Sequence, residues 1–356
     1  MINEYFGAHM TSLYVVYDDR HRLHRVASGY HPERPERIDI AMSSLRSSSA
    51  WSRIIIKNTF EPDPGVLEKI HDTQYIELIK RLSEKEISFI DPDTYVSKGT
   101  YDIALRFTTT TWRVAKTVFR EGGLWLILSR PPGHHAGRYG VAMNAPTQGF
   151  CIFNHAAAAA LSVIEERGRV AIIDFDAHHG NGTQEILWEE PRALHIDIHQ
   201  EGIYPGTGYI DDLGGGEAEG TKINIPLEAG SGDGVYKWVL EKIIKNLIDR
   251  FRPDVIVVSA GFDAYRGEPI TSLDATENTY ALYGAYLSRL YEEKRVRGVV
   301  AILEGGYDIG LRLGLRAFVE GLLRVRDEPD VRIEGPPEDL RRDLVSVLKE
   351  YWGIEI

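Results

Sequence analysis

Cysteine is almost absent from this sequence, whose 356 residues include Cys151 and no other thiol. A chain with one cysteine cannot form an internal disulfide, which predicts a reducing compartment, and we expect the cytoplasm. The first ten residues, MINEYFGAHM, also lack the basic and apolar segments of a secretory signal peptide.

Long apolar runs and an excess of basic residues are missing as well. No segment of about 18 consecutive apolar residues occurs, so we expect no membrane-spanning helix. The formal net charge is −12, which argues against direct nucleic-acid binding because that function needs a basic surface. The apolar fraction of 43% is ordinary for a globular protein.

Short apolar runs alternate with helical patterns, which predicts a doubly wound, mostly parallel α/β sheet with helices on both faces. The predicted strands are Leu124–Leu128, Val170–Ile173, Ala193–Ile198, Val255–Val258 and Val299–Leu303. The predicted helices are Thr100–Glu121, Phe153–Glu166, Asp233–Arg250, Asn278–Glu293 and Ile309–Val325. Because no repeat or low-complexity linker interrupts this pattern, we expect a single domain over residues 1–356.

Polar, mostly glycine-rich segments accompany the carboxyl ends of the predicted strands. They are SRPPGHHAG after Leu128, DFDAHHGNG after Ile173, the alternating His195, Asp197 and His199 after Ala193, SAGFDAYRG after Val258 and EGGYD after Leu303. Ligands of doubly wound folds bind beyond the carboxyl ends of the strands, so we expect these segments to meet at one edge of the sheet.

Asp174, Asp176 and His178 are spaced by two, which on a strand places all three on one face. Carboxylate and imidazole ligands suit zinc, and a catalytic zinc has three protein ligands and an open position. Asp263, which follows another strand, is a candidate third ligand beside Asp176 and His178. The alternative is a polar turn without a metal, but the adjoining His179 and glycine-rich turn favour the metal site.

His134 and His135 form a second candidate group, and Tyr307 forms a third. The prolines and glycine before the histidines restrict the backbone, and such a pair can divide into a general base and an electrostatic partner. Surface histidines and further metal ligands are the alternatives. Tyr307 follows two glycines after a strand, and a tyrosine hydroxyl is able to donate a hydrogen bond to a developing oxyanion.

Eight segments together resemble the zinc-dependent histone deacetylase superfamily, which includes acetylpolyamine amidohydrolases and acetoin-utilisation deacetylases. They are HPERPER (31–37), DPDTYVSKGTYD (91–102), RPPGHHA (130–136), GFCIFNHAAAAA (149–160), VAIIDFDAHHGNGTQEI (170–186), IYPGTG (203–208), SAGFDAYRGEP (259–269) and LEGGYD (303–308). The resemblance covers about residues 14–320, which leaves 321–356 to pack on the domain or to lie at its periphery. It implies a three-layer arginase/deacetylase-like fold with about eight strands.

The resemblance also implies the catalytic machinery, with one catalytic Zn²⁺ per chain. The implied zinc ligands are Asp176, His178 and Asp263, and the implied catalytic residues are His134, His135, Tyr307, Asp174 and Asn181. In the implied reaction a metal-activated water attacks the acyl carbonyl, the histidine pair handles the proton, and the tyrosine stabilises the oxyanion.

Substrate and potassium sites are implied in the same way. Gly149, Phe150 and Tyr204 are expected to line the acyl channel, with Asp93 at its rim to grip the substrate and Ile270 at a gatekeeper position. A structural K⁺ is expected at Asp174, Asp176, His178, Asp197 and Ile198.

The sequence departs from well-known members of this superfamily at four positions. Asn181 stands where many eukaryotic members have Asp, so His135 should be less basic, because an amide stabilises an imidazolium less than a carboxylate does. Asp197 adds a charge where Ser is common in the potassium site, and Ile270 replaces the glutamate of a polyamine-preferring member. His155 replaces a common Asn or Asp, and we expect it to cap a helix or to pack.

We therefore expect a deacetylase that acts on acetyl-lysine, acetylpolyamines or related acyl-amines, as a monomer or a homo-oligomer. A binuclear manganese hydrolase of the arginase type is one alternative, but it typically needs the order D-x-H-x-D, whereas this chain has D-x-D-x-H followed by Asn181. A binding protein without activity is the other alternative. Such proteins usually lose the tyrosine, a histidine or a metal ligand, and here none is lost.

Overall fold

The protein is described by a computed structural model that covers residues 11–26 and 29–355. Its strands are β1 (Leu13–Val16), β2 (Ile54–Lys57), β3 (Ile87–Phe89), β4 (Tyr95–Ser97), β5 (Gly123–Ile127), β6 (Ala136–Gly137), β7 (Gly140–Val141), β8 (Val170–Asp174), β9 (Ala193–Gln200), β10 (Lys222–Leu227), β11 (Val255–Ala260) and β12 (Gly298–Leu303). Eight of them form one sheet in the order β10-β9-β8-β11-β12-β5-β1-β2, in which every neighbouring pair is parallel. The pairs β3–β4 and β6–β7 are small and antiparallel.

Helices connect the strands of this sheet. They are α1 (Glu36–Arg46), α2 (Pro64–Leu67), α3 (Thr73–Leu82), α4 (Thr100–Glu121), α5 (His155–Glu165), α6 (Asn181–Ile186), α7 (Asp233–Trp238), α8 (Lys245–Phe251), α9 (Glu277–Glu292), α10 (Leu315–Leu322) and α11 (Glu338–Trp352). Single 3₁₀ turns occur at Asp19–Leu23, Trp51–Arg53 and Gly216–Ala218.

The central strands are buried on both faces, which explains why their sequences are continuously apolar. In β8, Ile173 joins the hydrophobic cluster that includes α1, α9 and α10, whereas Ile172 joins a separate cluster with α4 and α5. Successive side chains of a strand point to opposite faces, so each face of the sheet has its own helical layer. The predicted α/β fold with about eight strands and three layers is confirmed.

The predicted helices occur, with local differences in three of them. The predicted helix Asp233–Arg250 is interrupted by a π-helical turn at Val239–Ile244 between α7 and α8. A second π-helical turn, Gly310–Gly314, precedes α10. The helix predicted from Phe153 begins at His155, because Asn154 has extended backbone and its side chain accepts a hydrogen bond from Ala157 N.

The segment after residue 320 ends in α11, which packs on the body of the protein. Its Leu344 and Leu348 belong to the main hydrophobic cluster, and Trp352 Nε1 donates to Gly220 O at 2.8 Å. Within the described parts of the chain, none of the helices combines the length and the apolar character needed to span a bilayer.

Candidate active site and metal centre

Asp176, His178 and Asp263 form a buried cluster at the carboxyl ends of β8 and β11, which are neighbours in the sheet. His178 Nδ1 lies 3.1 Å from Asp176 Oδ1 and 3.0 Å from Asp263 Oδ2. Burial opposes a charge on His178, but its hydrogen bonds with the two carboxylates raise its pKa to about 9. The cluster therefore favours a cation at the point where these three side chains meet.

The donor set fits zinc, because two carboxylates and one imidazole leave an open coordination position. Glycines leave space around these ligands. A Cβ on Gly261 would lie 2.0 Å from Asp176 Oδ2, and a Cβ on Gly305 would lie 2.3 Å from Asp263 Oδ2. The backbone N–H of Gly305 instead donates to Asp176 Oδ2 at 2.7 Å, and that of Ala177 donates to Asp263 Oδ1 at 2.9 Å.

The backbone that carries Asp176 and His178 differs from the predicted strand. Strand β8 ends at Asp174, so Asp176 and His178 lie in the following loop and do not share a strand face. The prediction from strand spacing was wrong on this point. A hydrogen bond within the loop stabilises its conformation, since Asp176 Oδ1 accepts from His178 N at 2.9 Å.

His135 is held in one tautomer by Asn181. The Asn181 amide Nδ2 donates to Ala142 O at 3.0 Å, so its Oδ1 faces His135 Nδ1, 2.8 Å away, and must accept. A proton on Nδ1 leaves His135 Nε2 free to act as a base. Burial, together with the neighbouring His134 and His178, lowers the pKa of His135 well below its ordinary value.

His134 has the opposite electrostatic environment. Its Nδ1 donates to Asp174 Oδ2 at 3.1 Å, and its Nε2 lies 3.8 Å from Asp176 Oδ2. Burial opposes a charge, but Asp176 and Asp174 outweigh it and raise the pKa of His134 well above its ordinary value. The pKa values of the two adjacent histidines are therefore shifted in opposite directions.

Tyr307 is buried beside this cluster, and burial raises the pKa of its phenol well above the ordinary value, so it keeps its proton. Two residues that the sequence analysis did not single out position it. Glu268 Oε2 accepts from Tyr307 N at 2.8 Å, and the guanidinium of Arg37 lies 4.9 Å from the centre of the Tyr307 ring. Arg37 Nε also donates to Gly306 O at 2.7 Å.

Glu304 is a third residue that sequence reasoning missed. Its buried Oε2 accepts hydrogen bonds from the backbone of Gly133 at 2.8 Å and of His134 at 3.2 Å. All three missed residues lie inside quoted segments, in HPERPER, SAGFDAYRGEP and LEGGYD. A charged residue inside a segment that carries the resemblance was the available signal, because a carboxylate or guanidinium that becomes buried needs partners.

The residues expected to line the channel lie against His135 and Tyr307. The Tyr204 ring is 4.9 Å from that of His135, and the Phe150 ring is 6.2 Å from that of Tyr307. Gly149 has a φ of +54°, and a Cβ there would lie 2.6 Å from His135 Cδ2 and 2.7 Å from Tyr204 Cε1. Only glycine therefore fits between these two rings.

Asp93 and Ile270 lie further out. The carboxylate of Asp93 is half-buried and accepts hydrogen bonds from the hydroxyls of Thr94, at 2.8 Å, and Thr147, at 2.5 Å. Ile270 is half-buried in the turn after Glu268.

The remaining predicted positions have clear surroundings. Asp197 Oδ1 accepts from His199 Nδ1 at 2.7 Å, and Asp197 and Ile198 belong to β9. His155 packs, with Nδ1 3.1 Å from Thr108 Oγ1 and Nε2 3.0 Å from Pro131 O, whereas Asn154 is the residue that caps α5.

Comparisons with known proteins identify the family. The family model described as histone deacetylase domain matches residues 31–322. The chain is 42% identical over 333 residues to an uncharacterized protein of Methanocaldococcus jannaschii, covering 91% of this chain and 94% of that protein. It is 34% identical over 363 residues to a probable deacetylase of Archaeoglobus fulgidus, covering 95% and 98%.

A solved structure described as the HDA15 HD domain superposes on this fold. The TM-score is 0.85 at 31% sequence identity, and the alignment covers 97% of this chain and 96% of that chain. Histone deacetylase 15 of Arabidopsis thaliana, at 32% identity, is matched over 96% of this chain and 63% of its own length. The resemblance drawn from the sequence is thus confirmed, and the chain belongs to the histone deacetylase family and is a deacetylase.

Proposed function

We propose that this deacetylase hydrolyses acetyl groups from acetyl-lysine or acetylpolyamines with a zinc ion held by Asp176, His178 and Asp263. The observation that supports this most is the meeting of that buried cluster with two histidines, whose pKa values are shifted in opposite directions, and with a buried tyrosine, whose pKa is raised. We also propose that the chain acts as a single domain in the cytoplasm, in keeping with its one, buried cysteine.

A bound zinc would polarise the acyl carbonyl as a Lewis acid and would lower the pKa of a bound water to about 7. His135 Nε2 takes a proton from the attacking water, because its Nδ1–H already donates to Asn181 Oδ1. The charged His135 then gives that proton to the leaving amine, so that water and amide yield acetate and amine. His134, fixed by Asp174, remains cationic and provides electrostatic support.

The Tyr307 hydroxyl donates a hydrogen bond to the oxyanion that forms when the acyl carbonyl becomes tetrahedral. Arg37 and Glu268 hold the backbone and ring of Tyr307, which fixes the hydroxyl before the substrate arrives. Preorganised donors of this kind are worth about 3–4 kcal/mol each.

The acyl-amine would enter between Phe150 and Tyr204, with Gly149 lining the wall and Asp93 at the rim. Tyr204 presents its ring next to His135 and Phe150 presents its ring next to Tyr307, and such aromatic walls suit the apolar stem of an acylated lysine or polyamine. Ile270 at the gatekeeper position lacks the charge that would favour a polycation.

A competitive turnover assay tests the proposal and identifies the preferred substrate. Zinc-loaded enzyme is offered an acetyl-lysine peptide together with acetylspermidine and acetylputrescine, and acetate and each free amine are measured. We expect acetate release from at least one substrate. Loaded enzyme that released none from any of the three would contradict the proposed substrate class.

A further inference from the structure

Glu33 is a fully buried carboxylate with four polar side chains around it. Its Oε1 lies 2.6 Å from Arg130 Nε and 3.3 Å from Arg37 Nη1. Its Oε2 accepts hydrogen bonds from Arg130 Nη2 and from the Tyr95 hydroxyl, both at 2.9 Å, and lies 3.3 Å from His24 Nε2. Both carboxylate oxygens therefore have partners, and the two guanidiniums face each other across one of these oxygens.

The charges around Glu33 do not balance. Arg37 and Arg130 are both 0% exposed and remain cationic, because a guanidinium does not lose its proton in a protein. Burial lowers the pKa of His24 to about 4, so this imidazole adds no charge at neutral pH. Burial also opposes ionisation of Glu33, but the neighbouring guanidiniums and imidazole outweigh it and hold the pKa of Glu33 well below its ordinary value. One carboxylate therefore compensates two buried cations.

Arg130 and Tyr95 hold Glu33 in place. Arg130 Nη2 donates to the Tyr95 hydroxyl at 2.7 Å, and that hydroxyl donates to Glu33. The Tyr95 ring stacks on the His24 ring, with the ring centres 4.2 Å apart and the planes 11° from parallel. These contacts leave the carboxylate one position, so a group that pairs with Glu33 is fixed as well.

Arg37 connects Glu33 to Tyr307. The Arg37 guanidinium lies over the Tyr307 ring, 4.9 Å from its centre, and Nε donates to Gly306 O at 2.7 Å. Nη2 donates to Glu304 O, and Nη1 donates to Glu33 Oε1 at 3.3 Å. Among the described residues, Glu33 is the one carboxylate with an oxygen within 4.0 Å of Arg37. Glu33 therefore provides the charged contact that holds this guanidinium.

We propose that Glu33 is a positioning residue for the deacetylation reaction, because it holds Arg37 against Tyr307 and so fixes the hydroxyl that donates to the oxyanion. This role rests on the proposed function, which makes Tyr307 that donor. Without the charge of Glu33, two buried guanidiniums repel each other and Arg37 leaves its place over the ring. The Glu33 side chain has no hydrogen bond to the residues proposed for the acyl channel, so its loss should lower kcat and leave KM almost unchanged.

A double-mutant cycle with Tyr307→Phe tests this role. Zinc-loaded enzyme is assayed with an acetyl-lysine peptide or acetylspermidine, whichever the parent protein hydrolyses faster. Glu33→Gln keeps the shape of the side chain and removes its charge, and we expect kcat to fall by about 10- to 100-fold with KM within about threefold. In the Tyr307→Phe background the same change should cost less than about threefold, because the hydroxyl that Glu33 positions is gone.

Glu320→Gln is the matched control for the loss of a buried carboxylate. Glu320 Oε1 accepts hydrogen bonds from the Ser48 hydroxyl and from Ser49 N, both at 3.1 Å, and none of its partners belongs to the group around Glu33. This variant should keep the parent kcat. A loss of kcat equal to that of Glu33→Gln would show that the effect is common to buried carboxylates and would overturn the positioning role.

A second variant separates positioning from stability. Glu33→Gln leaves two buried guanidiniums without a carboxylate and should lower the melting temperature, whereas Glu33→Gln/Arg130→Met removes one charge of each sign and should regain most of the loss. The positioning role predicts that kcat stays low in this double variant, and the cycle with Tyr307→Phe is run on it if Glu33→Gln alone does not fold. Recovery of kcat together with the melting temperature would assign Glu33 to the fold alone, and so would failure of both variants to fold.

The outcomes separate the positioning role from the proposed function. Parent-level kcat in folded Glu33→Gln, a change in KM alone, or an equal loss of kcat with and without the Tyr307 hydroxyl would each overturn the role of Glu33. If Tyr307→Phe is slow at the same time, the proposed function stands. A Tyr307→Phe enzyme with the parent kcat would instead contradict the proposed function, and the role of Glu33 with it.

Discussion

Two buried clusters in this protein have the same composition, two aspartates and one histidine, but different surroundings. The proposed catalytic cluster of Asp176, His178 and Asp263 is bordered by the His135 and Tyr204 rings, each with its centre 6.2 Å from that of His178. The second cluster, Asp174, His195 and Asp197, is enclosed between β8, β9 and the loop at Gly180. The first cluster therefore adjoins a candidate base, whereas the second is packed between two strands and a loop.

The largest effect should come from breaking the catalytic cluster with Asp263→Asn. The variant removes one metal ligand, and a bound metal supplies several kcal/mol of transition-state stabilisation, so turnover should fall by more than about 10³-fold. Acetate release at saturating substrate measures this. Asp211→Asn, at an exposed position, is the control and should keep the parent rate. A folded Asp263→Asn enzyme with near-parent turnover would rule out this ligand.

Tyr307→Phe should separate metal binding from catalysis within the first cluster. The phenol is not a metal ligand in the proposed centre, so the metal content should equal that of the parent protein. Loss of the oxyanion donor should lower kcat by about 10²–10³-fold. The comparison is made by metal analysis and turnover on the same preparation. Parent-level kcat would show that Tyr307 has no role in the reaction.

Asn181→Asp should shift the pH dependence of the catalytic site alone. Burial and two neighbouring histidines depress the pKa of His135, and a carboxylate opposite Nδ1 would stabilise the imidazolium and raise that pKa. A base must be neutral to act, so the acidic limb of kcat/KM should move to higher pH and activity near pH 6 should fall several-fold. Profiles from pH 5 to 9 measure this. An unmoved limb would argue against His135 as the base.

The fold was predictable because its core strands are continuously apolar. Val170–Ile173 and Val255–Val258 can be stable only when both faces are covered, and the structure gives each face its own helical layer. Helix interruptions were less predictable. The π-helical turn at Val239–Ile244 keeps the apolar pattern of a continuous helix, so periodicity does not reveal it.

The candidate site was predictable where chemistry is concentrated in short segments, as at His134, His135 and Tyr307. Arg37 and Glu268 were missed because their role depends on partners far away in the chain. Arg37 reaches Gly306 O across 269 positions, and Glu268 reaches Tyr307 N across 39. Local pattern cannot show which distant backbone groups a buried charge will satisfy.

The sequence by itself determined the strand pattern, the polar segments at the strand ends and the family to which the chain belongs. Tertiary structure alone decided how those segments group into sites. Asp263 joins Asp176 and His178 because β11 lies beside β8, and His195 and Asp197 meet Asp174 because β9 lies on the other side of β8. Strand order and register depend on packing over the whole sheet, so residues far apart in the sequence meet in one cluster only after the sheet has formed.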